Sequence, residues 1–356
     1  MQGSMSDFHL NTISEAIEDI RMGKIVIVVD DEDRENEGDF ICAAECTTPE
    51  VVNFMCTQGR GLICVALDES ICKKLNLDLM VPNATDPLKT AFTVSVDLLG
   101  EGCTTGISAH DRSKTIQALT DDNREPHHFS RPGHIFPLIA KPGGVLRRTG
   151  HTEAAVDLAR LAGLKPAGTI VEIMNDDGTM ARLPQLISIA QKHALKIVSI
   201  RDLISFRLQT DVLLQKVEET LVDSIHGTFE RITFTAKYGG NTYHAFCMKG
   251  WSADDIVPVR MHSANHVEDV FSFDKQNVLS RSLEIIRGRG FGVLVYIVPE
   301  ARSHVNDPLD FGLGAQVLRE LGIHRMQLIT SAPLSRRRGL EGYGLEICST
   351  LHPLEK

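Results

Sequence analysis

The sequence predicts two domains, each a mixed structure of the α/β or α+β class. The chain has 356 residues, which is more than one hydrophobic core ordinarily organises. Short apolar runs rich in β-branched residues alternate with segments whose apolar residues recur at helical spacing, as in folds that mix strands with helices. From 206 to 217 the pattern becomes polar and regular, which suits a linker or connecting helix. We therefore predict domains at 5–208 and 209–356, with Met5 as the native start.

The first domain is predicted to contain a mixed sheet with flanking helices. Ile13, Ile17 and Ile20 lie on one face of a helix that Gly23 ends. The β-branched run that follows predicts a buried strand. That strand is at 25–29, and the further predicted elements are a strand at 169–174, a tight turn at 175–178 into a second strand, a helix at 184–194 and a strand at 196–200.

The second domain is predicted to be a further α/β unit. Two strand-like segments flank Gly239 and Gly240 and indicate a β-hairpin. The predicted elements are strands at 231–237, 243–248, 292–298 and 326–331 and a helix at 311–321.

Composition narrows the classes of function. The formal net charge of -10 argues against a broad attraction to nucleic acid or to an anionic membrane. No apolar run reaches the length of a membrane span, and the N-terminus lacks the pattern of a signal peptide. The eight cysteines form no Cys-x-x-Cys pair. We therefore expect a cytoplasmic protein with free thiols that binds neither nucleic acid nor membrane.

A dense run of carboxylates at 30–39 follows the first predicted strand. Such runs are usually solvated surface loops. This loop, however, leaves the end of a buried strand, where α/β sheets tend to place their sites. A divalent cation would relieve the repulsion by binding carboxylate oxygens. The loop by itself leaves both alternatives open.

A second candidate site at 143–153 joins glycines and arginines to the start of a predicted helix. Thr152 is the predicted N-cap. A helix N-terminus behind Arg148 and Gly150 favours a phosphate, because backbone N–H groups and the helix dipole both attract an anion. His151 in this turn could ligate a metal or move a proton. The alternative is a capped helix with a hydrogen-bonded histidine.

Three further features contain candidate side chains. His134 lies in a proline-restricted loop. Glu172 is a lone carboxylate in an apolar strand, and it requires a partner or an altered pKa unless it lies on an exposed face. The segment 103–112 is rich in hydroxyl groups, which could hold substrate hydroxyls or form a turn into a helix.

Together these motifs resemble the 3,4-dihydroxy-2-butanone-4-phosphate synthase family across residues 8–206. The resemblance rests on five segments in the family's order, which are 33–39 (DRENEGD), 104–112 (TTGISAHDR), 131–134 (RPGH), 148–155 (RTGHTEAA) and 172–178 (EIMNDDG). One departure is Thr149, where the family usually has alanine, and it should leave the phosphate loop intact.

The resemblance implies a lyase that converts D-ribulose 5-phosphate to 3,4-dihydroxy-2-butanone 4-phosphate and formate in riboflavin biosynthesis, through a metal-stabilised enediol. It implies two Mg²⁺ or Mn²⁺ ions at Glu35 and His151, no zinc, and a homodimer. The implied substrate-binding residues are Arg34, Glu35, Asp39, Thr105, Arg148, Thr149, Gly150, His151, Thr152 and Glu172. The implied catalytic residues are His134, Glu172, Glu37 and Cys64.

The second domain resembles GTP cyclohydrolase II through the segments 258–263, 311–316 and 339–345. That family holds a zinc ion with three cysteines after its His-Ser motif. Here no cysteine lies between Cys247 and Cys348, and without thiolates a comparable zinc site cannot form. We therefore predict a degenerate domain without GTP cyclohydrolase activity.

Other functions remain as alternatives. A distorted but working second site could use His262, His266 and a carboxylate such as Glu268, which would make the chain bifunctional. The chain could also be a non-catalytic sensor of sugar phosphates or nucleotides, or catalyse isomerase or aldolase chemistry on a related sugar phosphate. Against a sensor, every motif position of the first family is filled.

Overall fold

The protein is described from a computed structural model. The structure describes residues 9–83, 85, 87–88, 90–237, 241–265, 269, 278–299, 308–331 and 344–354, except for the side chains of 308–311. The chain divides into two compact units, Met1–Arg207 and Leu208–Lys356.

The first unit contains seven strands and seven α-helices among its described residues. The last of these helices ends three residues past the boundary between the units. The strands are β1 (Val26–Val29), β2 (Gly38–Ala43), β3 (Cys64–Leu67), β4 (Val96–Leu98), β5 (Phe129–Ile139), β6 (Ala167–Glu172) and β7 (Lys196–Ser199). The helices are α1 (Ile13–Arg21), α2 (Pro49–Phe54), α3 (Glu69–Lys74), α4 (Ala109–Ala118), α5 (His151–Leu161), α6 (Leu183–His193) and α7 (Ile200–Thr210).

These strands form one mixed sheet in the order β4-β5-β3-β6-β2-β1-β7. β1 is parallel to β7 and β3 is parallel to β5, and the other neighbours are antiparallel. β1 and β2 bury every residue, as expected of central strands that are covered on both faces. One face packs against α2, α3, α4 and α6, and the other against α1, α5 and α7.

A buried ion pair fixes the loop that precedes α5. The Arg207 Nη1 atom lies 2.7 Å from Asp157 Oδ2 and donates to the Gly143 carbonyl at 2.7 Å, and both side chains are almost fully buried. The Val145 N–H donates to the same carboxylate. Gly144 has φ +63°, and a Cβ there would lie 2.1 Å from Asp157 Oδ1. Only glycine therefore fits between the loop and the ion pair.

The second unit is a separate seven-stranded mixed sheet in the order β14-β13-β11-β12-β10-β9-β8. Its strands are β8 (Leu214–Ser224), β9 (Gly227–Ala236), β10 (Thr242–Met248), β11 (Ile256–Ser263), β12 (Gly292–Val298), β13 (Arg325–Ile329) and β14 (Glu346–Leu351). Its described helices, besides the end of α7, are α8 (Val278–Arg289) and α9 (Pro308–Glu320). The half from β8 to β12 is antiparallel, and the half from β12 to β14 is parallel.

The predicted mixed α/β class is confirmed in both units. The predicted linker or connecting helix at 206–217 is wrong only for its last part, because α7 does run to Thr210 but β8 already begins at Leu214. The sequence pattern misled because Leu208 and Leu213 are buried within an otherwise polar stretch. The eight cysteines are free thiols. Among the described helices, none has both the length and the hydropathy needed to cross a bilayer.

The buried ion pair leads to a stability prediction. Replacing Arg207 by Met leaves the buried Asp157 carboxylate with only the partly exposed Arg160, 3.2 Å from its Oδ1, as a counter-charge. The free energy of unfolding should therefore fall by about 3 kcal/mol. Urea unfolding followed by far-UV circular dichroism measures the change. As a control, Lys73→Met removes an exposed i,i+4 ion pair with Glu69 and should cost less than about 1 kcal/mol. Equal losses in the two variants would contradict the prediction.

Candidate active site

The acidic loop connects β1 to β2 and is itself hydrogen-bonded. The two strands are antiparallel, and Val29 pairs with Gly38 at the end next to the loop. Its centre is the Asp30 carboxylate, whose side chain has no exposed surface. This carboxylate accepts from Arg34 Nη1 at 2.9 Å and from the N–H groups of Glu35 and Glu37 at 3.1 and 2.9 Å. Charge-assisted bonds of this kind hold a loop in one conformation. The geometry thus favours a built site over a solvated loop.

Helix α5 begins at His151, and its N-cap is Gly150. The prediction that Thr152 caps this helix is therefore wrong, since Thr152 lies buried in the first turn. The position needs glycine for a steric reason, because a Cβ on Gly150 would lie 2.2 Å from Arg148 Nη1. The cap was misassigned because threonine is the usual capping residue and the contact with Arg148 is visible only in three dimensions.

The start of α5 brings His151 against the acidic loop. His151 Nδ1 lies 3.6 Å from Glu35 Oε2 and 3.9 Å from Asp39 Oδ1. Burial opposes a positive charge on the imidazole, but Asp39 and Glu35 outweigh it and raise the pKa of His151 to about 9. Burial raises the pKa of Asp39 to about 7 against the attraction of His151. The cluster thus holds protons that a bound cation would displace.

The two other loop carboxylates differ in charge state. The hydrogen bond with His151, followed by the positive charge of Arg34, lowers the pKa of Glu35 in spite of its burial. Burial and the negative charge of Glu35 raise the pKa of Glu37. Glu35 is therefore the ionised member, whereas Glu37 binds a proton more readily.

The described residues contain one group with the donor set of a hard cation. Side-chain ligand atoms of Asp30, Glu35 and His151 lie within 4.8 Å of one another. The buried Nε2 of His151 has no hydrogen-bond partner among the described residues, and a buried polar atom of this kind points to a ligand. Asp30 is already occupied by three donors. Glu35 and His151 are consequently the better candidates for a metal.

The register of the sheet adds Glu172 to this cluster. Asp39 on β2 lies directly opposite Glu172 at the end of β6, so the two side chains share one face of the sheet. Glu172 Oε2 accepts from the Leu62 N–H at 2.9 Å. The sequence left open whether Glu172 is exposed, and the structure places it half-buried beside Asp39.

The same register adds Cys64 and His134. Cys64 on β3 lies opposite Ile170 of β6 and Phe136 of β5. His134 lies two residues before Phe136, and Glu172 lies two residues after Ile170. Side chains two residues apart in a strand point to the same face of the sheet, so His134 and Glu172 share the face of Cys64. This is the face on which α5 packs. Burial, Glu172 and Asp39 all raise the pKa of the Cys64 thiol, which therefore stays un-ionised.

His134 is oriented by a carboxylate from the neighbouring strand β4. Its Nδ1 lies 2.6 Å from Asp97 Oδ2, and its backbone N–H donates to Asp97 Oδ1 at 2.9 Å. Gly106, with φ +92°, packs so closely that a Cβ would lie 2.1 Å from Asp97 Oδ2 and 2.7 Å from His134 Nδ1. Thr105 is exposed and directly precedes Gly106, the residue that contacts Asp97 and His134.

Arg148 is held rigidly before α5. It pairs with the buried Glu153 at 2.7 Å and donates to the Leu88 carbonyl and to the Thr90 hydroxyl. These contacts use four of its five N–H groups. Beside it, Thr149 is exposed. An anion here would meet the charge of Arg148, the remaining N–H, and the first-turn amides of α5.

Sequence reasoning missed several residues that organise the site, namely Asp30, Asp97, Glu153 and Arg182. The sequence did contain a signal for Asp97, because Asp97 is a lone carboxylate in the mostly apolar segment 94–99. The sequence contained no signal for Arg182, because the residues that it contacts lie 146 and 147 positions earlier in the chain.

In the second unit, three side chains meet near the end of β11. His262 Nε2 lies 2.8 Å from Asp269 Oδ1, and the Tyr296 hydroxyl donates to Asp269 Oδ2 at 2.8 Å. The rings of His262 and Tyr296 stack with centroids 5.5 Å apart. Although burial opposes ionisation, the bonds from Tyr296 and from the Asn265 N–H lower the pKa of Asp269. His266 and Glu268 lie outside the described residues.

Comparison with known proteins agrees with this geometry. The family model of 3,4-dihydroxy-2-butanone 4-phosphate synthase matches residues 14–206, which is more than half of the chain. The chain belongs to this family. The model of GTP cyclohydrolase II matches the second unit in two pieces, 215–307 and 298–352.

Relatives of the synthase family extend over both units. Riboflavin biosynthesis protein RibBA of Cytophaga hutchinsonii is 49% identical, covering 99% of this chain and 94% of the relative. A two-domain 3,4-dihydroxy-2-butanone 4-phosphate synthase of A. baumannii, RibBX, has a solved structure that matches with a TM-score of 0.78 and 38% identity over 96% of this chain and 99% of that one. A synthase solved with two magnesium ions matches 56% of this chain and 98% of its own at 42% identity, with a TM-score of 0.55.

The contact between His134 and Asp97 leads to a prediction about tautomers. A carboxylate can only accept, so neutral His134 should carry its proton on Nδ1 and present the lone pair of Nε2. In Asp97→Asn this preference should be lost. Nitrogen-15 chemical shifts of the labelled imidazole distinguish the two tautomers, with His134→Gln used for assignment. An Nε2–H tautomer in the unmodified protein would contradict the prediction.

Proposed function

We propose that the first unit converts D-ribulose 5-phosphate to 3,4-dihydroxy-2-butanone 4-phosphate and formate. The observation that carries the proposal is that one face of the sheet combines His134, Glu172 and Asp39 with the His151–Glu35 cluster. The two products together contain every atom of the substrate. The reaction therefore needs proton transfers and charge stabilisation but no external oxidant or reductant.

Glu35 and His151 would hold the divalent cations, Mg²⁺ or Mn²⁺, with substrate and water oxygens as the other ligands. The orphaned Nε2 of His151 and the ionised Glu35 support this assignment. Bound cations supply positive charge that stabilises the enediolate oxygens of the substrate. Asp30 and Arg34 keep the carboxylate of Glu35 in place.

The other residues bind the substrate and move protons. Arg148 and the first turn of α5 would bind the phosphate, which fixes the distance from the phosphate to the reacting carbons. His134, oriented by Asp97, and Glu172 would exchange protons with those carbons and their hydroxyls. Asp39, which lies opposite Glu172 and 3.9 Å from His151, would accept a hydrogen bond from a substrate hydroxyl.

The activity test uses ribulose 5-phosphate with Mg²⁺, following formate and the four-carbon phosphate. We expect both products from the unmodified protein and none after removal of divalent cations with EDTA. Glu35→Gln and His151→Ala should each lower kcat/KM by on the order of 10³-fold, because each removes a ligand of the cation.

The matched control is Glu32→Gln, which neutralises an exposed carboxylate in the same loop and should retain activity. A double variant of Glu35 and His151 that still turns over would contradict the metal assignment. Binding of ribulose 5-phosphate without either product would support the sensor alternative. An isomer or a cleavage product without formate would support isomerase or aldolase chemistry.

For the second unit, we propose that GTP cyclohydrolase activity is absent. The chain has no cysteine between Cys247 and Cys348, and His262 is paired with Asp269. The alignment with the Cytophaga hutchinsonii relative spans 381 positions against 356 residues here, so part of that relative has no counterpart. The proposed homodimer and cytoplasmic location stay predictions, the first testable by light scattering.

The corresponding prediction concerns GTP. Incubation of the full chain with GTP and Zn²⁺ should release no formate above the background without protein, because a thiolate site for zinc cannot form. A working GTP cyclohydrolase II serves as the positive control. Zinc-dependent formate release that His262→Ala abolishes would establish the bifunctional alternative instead.

A further inference from the structure

Arg182, which no sequence motif singled out, contacts the acidic loop from the start of α6. It is the N-cap residue of that helix. Its Nη1 donates to the Glu35 carbonyl at 2.8 Å and to the Asn36 carbonyl, and lies 3.8 Å from Glu37 Oε1. One guanidinium nitrogen therefore holds two successive carbonyls of the segment that presents Glu35.

The loop needs such a support because its backbone is not in a relaxed conformation. Asn36 has φ +55°, a left-handed conformation that costs about 1 kcal/mol or more in a non-glycine residue. Two residues later, Gly38 packs against α6 so closely that a Cβ would lie 2.5 Å from the Leu186 side chain. Helix α6 thus supports the loop on both sides of its turn.

Arg182 is also tied to the strand that presents Glu172. The Ala181 N–H donates to the Ile173 carbonyl at 3.0 Å, and the Ile173 N–H donates to the Gly38 carbonyl at 3.0 Å. A further antiparallel bridge joins Met174 to Met180. The hairpin from 173 to 182 therefore connects the end of β6 directly to the arginine that holds the acidic loop.

We propose that Arg182 is a positioning residue that sets the Glu35 carboxylate for the divalent cation, in register with Glu172. The inference deepens the proposed function and rests on it. The ion pair with Glu37 does not carry the effect, since at 3.8 Å and with a half-exposed arginine its contribution is small. The two bonds to backbone carbonyls carry it, because they fix the chain at and after Glu35.

The chemistry of the side chain separates Arg182→Lys from Arg182→Met. Lysine keeps the charge, and its one nitrogen can also donate to two carbonyls, but its flexible stem does not fix that nitrogen as the planar guanidinium does. We expect Mn²⁺ affinity about tenfold weaker in Arg182→Met and intermediate in Arg182→Lys. The matched control is Arg201→Met, which removes an exposed arginine that pairs with the Asp31 side chain of the same loop and should leave affinity unchanged.

The experiment measures Mn²⁺ binding to the full chain without substrate, from the electron paramagnetic resonance signal of free Mn²⁺. It then measures kcat and KM for ribulose 5-phosphate against Mg²⁺ concentration. Weaker Mn²⁺ binding in Arg182→Met, with activity recovering at high Mg²⁺ and an unchanged circular dichroism spectrum, supports the proposal. Mn²⁺ affinity equal to that of the unmodified chain overturns it, and so does equal weakening in Arg201→Met.

Failure of the proposed function gives a different result. An unmodified chain that binds no Mn²⁺ and releases no formate removes the metal-dependent reaction itself. An unmodified chain that binds Mn²⁺ and turns over, with Arg182→Met identical to it, removes only the role of Arg182. If Arg182→Met does not fold, Arg182→Lys decides through the same two measurements.

Discussion

The pairing of β2 with β6 at the centre of the first sheet sets Asp39 directly opposite Glu172. Two carboxyl groups on one half-buried face repel each other when ionised and are costly to desolvate. The start of α5 offsets this cost by placing His151 3.9 Å from Asp39. The charge of His151 thus partly offsets those of the two carboxyl groups. The number of protons that these groups hold depends on which ligands are bound.

Around that pair, the fold restricts the freedom of several proposed functional side chains. Asp30 and Arg182 both hydrogen-bond to the backbone of Glu35 in the acidic loop. Asp97 orients His134. Precise placement of reacting groups is a large part of catalysis in reactions that consist of proton transfers. The glycines at 106, 144 and 150 serve the same end, since each leaves room for a charged side chain that a Cβ would displace.

The two units, which match different family models, arrange their polar side chains differently. In the first, the motif side chains converge on one face. In the second, which the cyclohydrolase family model matches, His262 Nε2 and the Tyr296 hydroxyl both bond to Asp269, and the buried His262 Nδ1 has no hydrogen-bond partner among the described residues. The two clusters differ instead in their donor sets, since among the described residues only the cluster around His151 brings three possible metal-ligand side chains together.

The sequence alone determined the mixed α/β class and predicted about half of the strands and helices, because periodicity is a local property. Motif order likewise pointed to the candidate side chains that the fold brings together. Sequence reasoning misassigned the cap of α5 and the segment 206–217, where steric contact with Arg148 and the burial of Leu208 decided. Only the tertiary structure showed Asp30, Asp97 and Arg182 as supports. Their roles depend on register and on contacts between distant segments, and no local pattern of residues encodes those.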